Sequence, residues 1–389
     1  MITPEIDSAI GEYLIPGEAG IMNDYVAIFY AHFKKHYEGK PGTARRGIHA
    51  KSHGCLRATL EIFDHGDPEL KHGIFRAPAV YDTLVRVSNG DGPPGPDTAR
   101  LVSVGFAIKV LGVEAEKFFA DQAEKSQDFL FLSQPSYISR DVRGYKSLMQ
   151  AIDGGIWAKL RALFWNFGGI WARLKTLPKD DPLNTHFWGI GPQRLGGIAV
   201  KYLIRPCDAV PKDSKKLRSL ASADYLKPLL REHIESRDAN YDFFLQKRLL
   251  NGREKRDMPI EDFAVPWDEN KSVPIRVGQL RIAKQALDPE LDRQCEDMVF
   301  TPWNTTKDFR PLGSLNRARL VVYTFSVRCR HQINQHGPDW KLPNPQLVTN
   351  SAESLKTPAV RAQSFCAQEG PCEVQQSAAG IRRTGFRVS

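Results

Sequence analysis

Between residues 55 and 63 the chain reads CLRATLEIF, in which Leu56, Ala58, Leu60 and Ile62 alternate with Arg57, Thr59 and Glu61. A period of two puts the apolar set on the buried face of a strand and the polar set on the other. Similar runs follow at TLVRVS (83–88), LVSVGFAIKVL (101–111) and FLFLSQPSYIS (129–139). The turn-forming cluster NGDGPPGPD (89–97) separates two of them, which predicts an antiparallel sheet or barrel and argues against alternating βα units.

Helical periodicity brackets this strand block. In DYVAIFYAHFKKHY (24–37), Val26, Phe29, Tyr30 and Phe33 recur at helical spacing, and glycine and proline at 38–42 close the segment. From about residue 143 the pattern turns helical again: GYKSLMQAIDGGIWAKLRALFWNFGGIWARLKTL mixes Trp157, Trp165 and Trp171 with Lys159, Arg161, Arg173 and Lys175. The pairs Gly154-Gly155 and Gly168-Gly169 are expected to split it into short helices. Further strands are expected over 196–206 and 272–284, with a charged helical stretch (223–250) between them and a solvated loop at 251–257. A last helix contains Tyr323, and periodicity is lost after about residue 336, so 336–389 is expected to be a poorly ordered tail.

Composition narrows the class. The chain has 389 residues with 41% hydrophobic content and 10% aromatics, ample for a packed core in one large or two ordinary domains. It has no run of eighteen apolar residues and no signal-peptide pattern near Met1, so a cytoplasmic protein is expected. Six scattered cysteines form no CxxC pair, which makes reduced thiols the expectation and a structural zinc site unexpected. A net charge of +9 and a pI near 9.2 favour an anionic small molecule or a membrane surface. Nucleic acid is not expected, because the cations form no stripe within a binding module.

The candidate chemistry begins in NRARLVVYTFSVRCRH (316–331), where Arg319, Tyr323 and Arg330 are spaced by four and seven on one helical face. A cation one turn away favours a phenolate, and a phenolate is an axial ligand for haem iron. Read alone, the segment is more simply a packing or surface contact. It acquires weight from its resemblance to the catalase superfamily, whose proximal motif sets an arginine four residues before the ligand tyrosine. The matching positions are Arg319, Tyr323, Arg328 and Arg330. The aromatic and aspartate that usually flank that tyrosine are here Val321 and Phe325.

A second stretch, ARRGIHAKSHG (44–54), is similar to the family's distal sequence. The resemblance implies that Arg46 binds a propionate, that His49 is the distal histidine and that Ile48 stands where a valine lines the distal pocket. Arg46 and His49 lie three apart and would face opposite ways in a regular strand, so a shared role needs an irregular backbone. VRVSNGDGPPGPDTARLVSVGFAIKV then places Arg86 on a propionate arginine, Ser88 on a distal serine and Asp97 near the access channel. QDFLFLSQPSYISRD aligns without a gap on a further stretch of the family, anchored by Asp128, Pro135, Tyr137, Arg140 and Asp141, with Ser133 where catalases carry a distal asparagine.

The resemblance spans about residues 40–335 and is nearest to the short catalase-related haem proteins, which include allene oxide synthases, hydroperoxide lyases and peroxidases. It implies an α+β fold with an antiparallel eight-stranded barrel enclosing haem b and helices to one side. The implied division is an N-terminal helical arm (1–40), a haem domain (41–335) and the tail, without a flavodoxin-like C-terminal domain. The implied chemistry is Tyr323 on iron, Arg319 supporting its ionisation, Arg46, Arg86 and Arg330 on the propionates, and His49, Ser88 and Ser133 at the hydroperoxide. An organic hydroperoxide, with those of fatty acids favoured, is the leading substrate reading; hydrogen peroxide and a non-catalytic haem-binding role stay open. A homo-oligomer is expected, and 145–177 is expected to pack within the protein or between subunits, with a membrane surface as the alternative.

Overall fold

The computed structural model describes residues 4–40, 43–90, 95–97, 103–120, 122, 124–175, 181–208 and 223–336. All of these fall in one compact unit, Met1–Lys356. The expected tail lies outside the described residues, apart from His336, which ends the last helix.

The strands are β1 (Ser52–Ile62), β2 (Ala79–Asn89), β3 (Val104–Leu111), β4 (Ser126–Leu132), β5 (Phe187–Gly189), β6 (Gln193–Leu195), β7 (Ile198–Pro206), β8 (Ala239–Lys247), β9 (Ile275–Ile282) and β10 (Phe309–Pro311). The order β7-β5-β4-β3-β2-β1-β9-β8 returns to β7 through the β7–β8 pairing, so eight antiparallel strands close a barrel. β6 and β10 extend the sheet from β7. The helices are α1 (Glu18–Tyr37), α2 (Val142–Asp153), α3 (Ile156–Lys175), α4 (Leu226–Ser236), the single turn α5 (Glu254–Asp257), α6 (Pro289–Asp297) and α7 (Ser314–His336).

The alternation in the sequence decides which way each strand faces. Leu56, Leu60 and Ile62 of β1, Val85 and Val87 of β2, Phe106 and Ile108 of β3 and Phe129 and Phe131 of β4 point into one core. That interior is filled by aromatic rings, among them Phe129 and Phe243 at 5.2 Å and Phe106 and Phe187 at 4.9 Å between centroids. A small barrel packed in this way has no room for a cofactor. The barrel of the sequence reading is therefore present, but its wall, not its interior, is left to build a site.

Other expectations change in detail. The charged stretch 223–250 is a helix, α4, followed by a strand, β8, in which Ala239, Tyr241, Phe243 and Leu245 are buried at period two. Residues 251–257 hold the turn α5, whose residues are mostly exposed. Gly154-Gly155 separates α2 from α3, whereas Gly168-Gly169 does not break α3; the irregularity sits at Asn166 (φ −120°, ψ 15°). Cys55 and Cys295 are joined in a disulfide across 240 residues, which corrects the expectation of reduced thiols. Partners so distant leave no spacing motif to read. Among the described residues no helix is long and apolar enough to cross a membrane.

The helix α7 packs on α1 through a second apolar cluster that includes Tyr25, Phe29, Phe33, Val322, Phe325 and Cys329. Its orientation is set by charge. Gly313 at φ 87° turns the chain into the helix, and the first amides donate to carboxylates: Gly313 N to Glu12 at 2.9 Å and Ser314 N to Glu261 at 2.6 Å. Anions are favourable at this positive end of the helix. One turn on, the fully buried Arg317 donates to Glu12 (2.5 Å), Glu18 (2.6 Å) and Glu261 (3.3 Å). Burial would lower the Arg317 pKa, but the three facing carboxylates outweigh it and hold the guanidinium firmly charged.

Replacing Arg317 with Met leaves three buried carboxylates facing one another without their shared cation. Arg317→Met should lose about 3–5 kcal/mol of unfolding free energy, read from urea denaturation; a loss below about 0.5 kcal/mol, the range of an ordinary surface change, would refute the role given to this network.

Candidate active site

A cavity open toward solvent lies outside the barrel, between the outer faces of β2, β3 and β4 and the helix α7. Because Val85 and Val87 point inward, Arg86 and Ser88 of β2 point out into it, as do Gly105 and Ala107 of β3 and Leu130 of β4. The segment 46–49 crosses the cavity mouth, and α7 contributes Val322, Tyr323, Ser326, Val327 and Arg330. A smaller adjoining cavity shares Ile48, His49, Ile190 and Tyr323 and adds Arg319, Tyr137 and Tyr145. Of the ten positions singled out from the sequence for this chemistry, counting Arg328 but not Asp97, eight line these two cavities.

Three arginines gather at one end. Arg46 donates to Glu296 (2.9 Å) and to the carbonyls of Cys295 (2.7 Å) and Met298 (2.6 Å). Arg86 donates from both Nε (3.0 Å) and its terminal nitrogen (2.8 Å) to the other oxygen of Glu296. Arg330 donates to the carbonyls of Glu296, Asp297 (3.1 Å) and Met298 (3.3 Å). The anchor is α6, which starts at Pro289 behind Asp288, whose carboxylate accepts from the amides of Glu290 (2.9 Å) and Leu291 (3.2 Å). Burial alone would raise the Glu296 carboxyl, but Arg86 and Arg46 outweigh it and hold it below its usual range. Burial, with Arg86 and Arg330 close by, pushes the Arg46 pKa well down.

His49 sits across from this cluster on a strained backbone. Its φ of 59° is the one positive value at a non-glycine position among the described residues, in a region that favours glycine. This is the irregularity that lets Arg46 and His49 share a cavity. Arg86 donates to the His49 carbonyl at 2.9 Å and helps hold that conformation. Nδ1 of His49 lies 3.1 Å from Oγ of the buried Ser88. Gly105 completes the arrangement: a Cβ there would lie 2.4 Å from the imidazole and 3.1 Å from the Ser88 hydroxyl.

On α7, Arg319 is buried and places Nε and one terminal nitrogen each 3.4 Å from the Tyr323 hydroxyl, while its other terminal nitrogen donates to Asn316 at 3.1 Å. Burial works against the Arg319 charge, but the facing Tyr323 and Tyr202 rings outweigh it, and its pKa is raised.

Two residues stand apart. The Ser133 hydroxyl accepts from the amide of Val104 at 3.0 Å and lines neither cavity. Arg328 also lines neither cavity. Asp97, aligned with an access-channel acid, is buried and instead accepts from Leu226 N (2.9 Å) and Asn89 Nδ2 (2.8 Å), fixing the start of α4. The sequence reading missed Glu296 and Gly105. The GFA run carried a signal for Gly105, while nothing in the local pattern of α6 marks Glu296.

Similar solved structures are catalases. A fungal catalase matches with a TM-score of 0.60 at 18% identity, over 78% of this chain and 62% of its own. A bacterial catalase matches with a TM-score of 0.58 at 18% identity, over 82% and 62%. Catalase A from Saccharomyces cerevisiae gives 0.60 at 17% identity, over 100% and 82%. The fold is catalase-like. The chain thus spans a little over three fifths of the fungal and bacterial catalases it matches. No protein-family model and no curated protein matches the sequence.

The close approach at Gly105 is directly testable. Gly105→Ala should displace the His49 ring from Ser88 in a crystal structure of the variant and cost about 1–3 kcal/mol in stability; wild-type stability with the 3.1 Å contact retained would show that the glycine is not needed.

Proposed function

We propose that this protein is a haem-dependent enzyme of the catalase superfamily that acts on organic hydroperoxides, with fatty-acid hydroperoxides as the favoured class. The observation that carries this reading is the convergence on one cavity of a Tyr323–Arg319 pair, a His49–Ser88 pair and a three-arginine cluster. Haem b fits the donor set. Arg46 and Arg86 donate to the Glu296 carboxylate and Arg330 to the Glu296 backbone carbonyl, and each of these three guanidinium groups carries five donors in a fork suited to a propionate.

In this reading Tyr323 would hold the haem iron through its phenolic oxygen, which Arg319 contacts from two nitrogens. Ferric haem bound there would supply an electrophilic iron at which a hydroperoxide O–O bond is cleaved. Ser88 accepts from Nδ1 of His49 and so fixes the tautomer in which Nε2 is the base. Nε2 takes the proton of the hydroperoxide and returns it to the departing oxygen. Ile48 and the other apolar wall residues exclude water and accept an alkyl chain. Among the described residues that line the two cavities none carries a carboxamide, and the Ser133 hydroxyl is engaged with a backbone amide. The apolar residues of the cavity wall suit an alkyl hydroperoxide better than hydrogen peroxide.

Two measurements test this. Protein reconstituted with haemin should show a ferric Soret band that shifts or disappears in Tyr323→Phe; a band unchanged by that substitution would remove Tyr323 as ligand. The holoprotein should consume the conjugated-diene absorbance of a fatty-acid hydroperoxide without releasing oxygen, and His49→Ala should slow this by roughly 10²–10⁴-fold. Rapid oxygen release from hydrogen peroxide would instead support a catalase, and haem uptake without turnover of either substrate would support a haem-binding role.

A further inference from the structure

The helix α3 is built inside out. Its inward positions are the small or polar residues Ala158, Ala162, Asn166 and Gly169, all buried or half-buried. Asn166 donates to the Ala162 carbonyl (2.8 Å), the Ser147 hydroxyl (3.0 Å) and the Gly144 carbonyl (3.2 Å), which ties α3 to α2. At Gly169 a Cβ would lie 2.0 Å from the Ile138 carbonyl, so the helix backbone rests directly on the segment beneath it. The large apolar residues point the other way: Trp157 and Phe164 are each 81% exposed and Phe167 64%, with Ile156, Leu160 and Trp171 beside them.

By helical spacing Ile156, Trp157, Leu160 and Phe164, which precede the irregularity at Asn166, occupy an arc of roughly 100°, with Lys159 on one flank and Arg161 on the other. Both cations are exposed. From Asp153 to Asp180 the sequence contains Lys159, Arg161, Arg173, Lys175 and Lys179 and no intervening acid. We propose that α3 is a docking surface for an anionic lipid bilayer, in whose interface it lies flat with Trp157, Phe164 and Phe167 in the acyl boundary and Lys159 and Arg161 at the headgroups. Apolar aromatics between cations are the chemistry that such an interface recognises. A second copy of the chain is the less suited occupant, because a two-fold contact through this face sets cation against cation. The helix is also not apolar enough to span a membrane, so docking parallel to the surface is the geometry left to it.

This docking does not depend on the chemistry at the cavity, and its test uses the full chain without haem. Wild-type protein should co-sediment with phosphatidylglycerol-containing vesicles and much less with pure phosphatidylcholine vesicles. The triple variant Trp157→Ser/Phe164→Ser/Phe167→Ser should bind the anionic vesicles at least about tenfold more weakly, with an unchanged sedimentation coefficient and circular dichroism spectrum. Lys159→Glu/Arg161→Glu should remove the preference for anionic lipid. Wild-type protein that stays in the supernatant with anionic vesicles overturns the proposal. So does a triple variant that binds vesicles as well as wild type but changes from a dimer to a monomer, since the face is then covered by a second copy.

Discussion

The buried guanidinium of Arg317, shared among Glu12, Glu18 and Glu261, is the constraint on which the site geometry rests. Desolvating a cation and three carboxylates is costly, and such a cluster adds little net stability compared with a well-packed apolar one. What it does add is selection of one arrangement: any rotation of α7 about its axis, or withdrawal of the N-terminal arm, would leave buried charge uncompensated. Arg310 extends the network by donating to Glu12 at 2.9 Å. Since Arg317 faces α1 and the 258–263 segment, the opposite side of the same helix is obliged to present Tyr323, Ser326 and Arg330 to the cavity. The expected N-terminal arm is thus part of the means by which the tyrosine is aimed.

A second charged cluster acts on the far wall. Glu296 gathers Arg46 and Arg86 through separate oxygens, and Arg86 also donates to the carbonyl of His49. One arginine therefore links the acidic end of α6 to the strained residue that carries the imidazole. Strain at a functional position persists where the surroundings over-determine it, and here the Arg86 bond, the Ser88 contact and the space left by Gly105 do so. The two clusters are complementary: Arg317 fixes the helix below the cavity, and Glu296 with its arginines fixes the loop above it.

The strands β1–β4 were legible because each has one face in the barrel and obeys a period of two. The proximal helix and the need for an irregular backbone between Arg46 and His49 were legible for the same reason, since periodicity says which residues share a face. β8 was not read as a strand although its buried alternation was present, because it follows α4 with only two residues between them and shares its charged composition. Glu296, the Cys55–Cys295 bond and the partners of Arg317 were hidden for a different reason. They are contacts between segments distant in sequence, such as Arg46 with Glu296 at a separation of 250, Arg317 with Glu18 at 299 and Arg317 with Glu261 at 56, and local pattern carries no trace of them. Placing the cavity outside the barrel likewise required knowing that the aromatics fill the interior.

The exposed face of α3 and the cavity are joined by α2. Asn166 of α3 bonds to Gly144 and Ser147 on one side of α2, while Tyr145, the intervening residue on another side, lines the smaller cavity beside His49 and Tyr323. Tyr145 also packs against Tyr137 and Tyr25, at 5.9 and 5.6 Å between ring centroids. A bilayer seated on α3 would therefore lie one helix layer from the proposed chemistry. An alkyl hydroperoxide carried in such a bilayer has its tail in the same apolar phase that Trp157 and Phe164 would enter, so partition onto the surface would concentrate substrate where the cavity can receive it. Hydrogen peroxide, small and freely diffusing in water, would gain nothing from that placement. The outward apolar face of α3 and the apolar wall of the cavity thus bear on the same choice of substrate from opposite sides of α2.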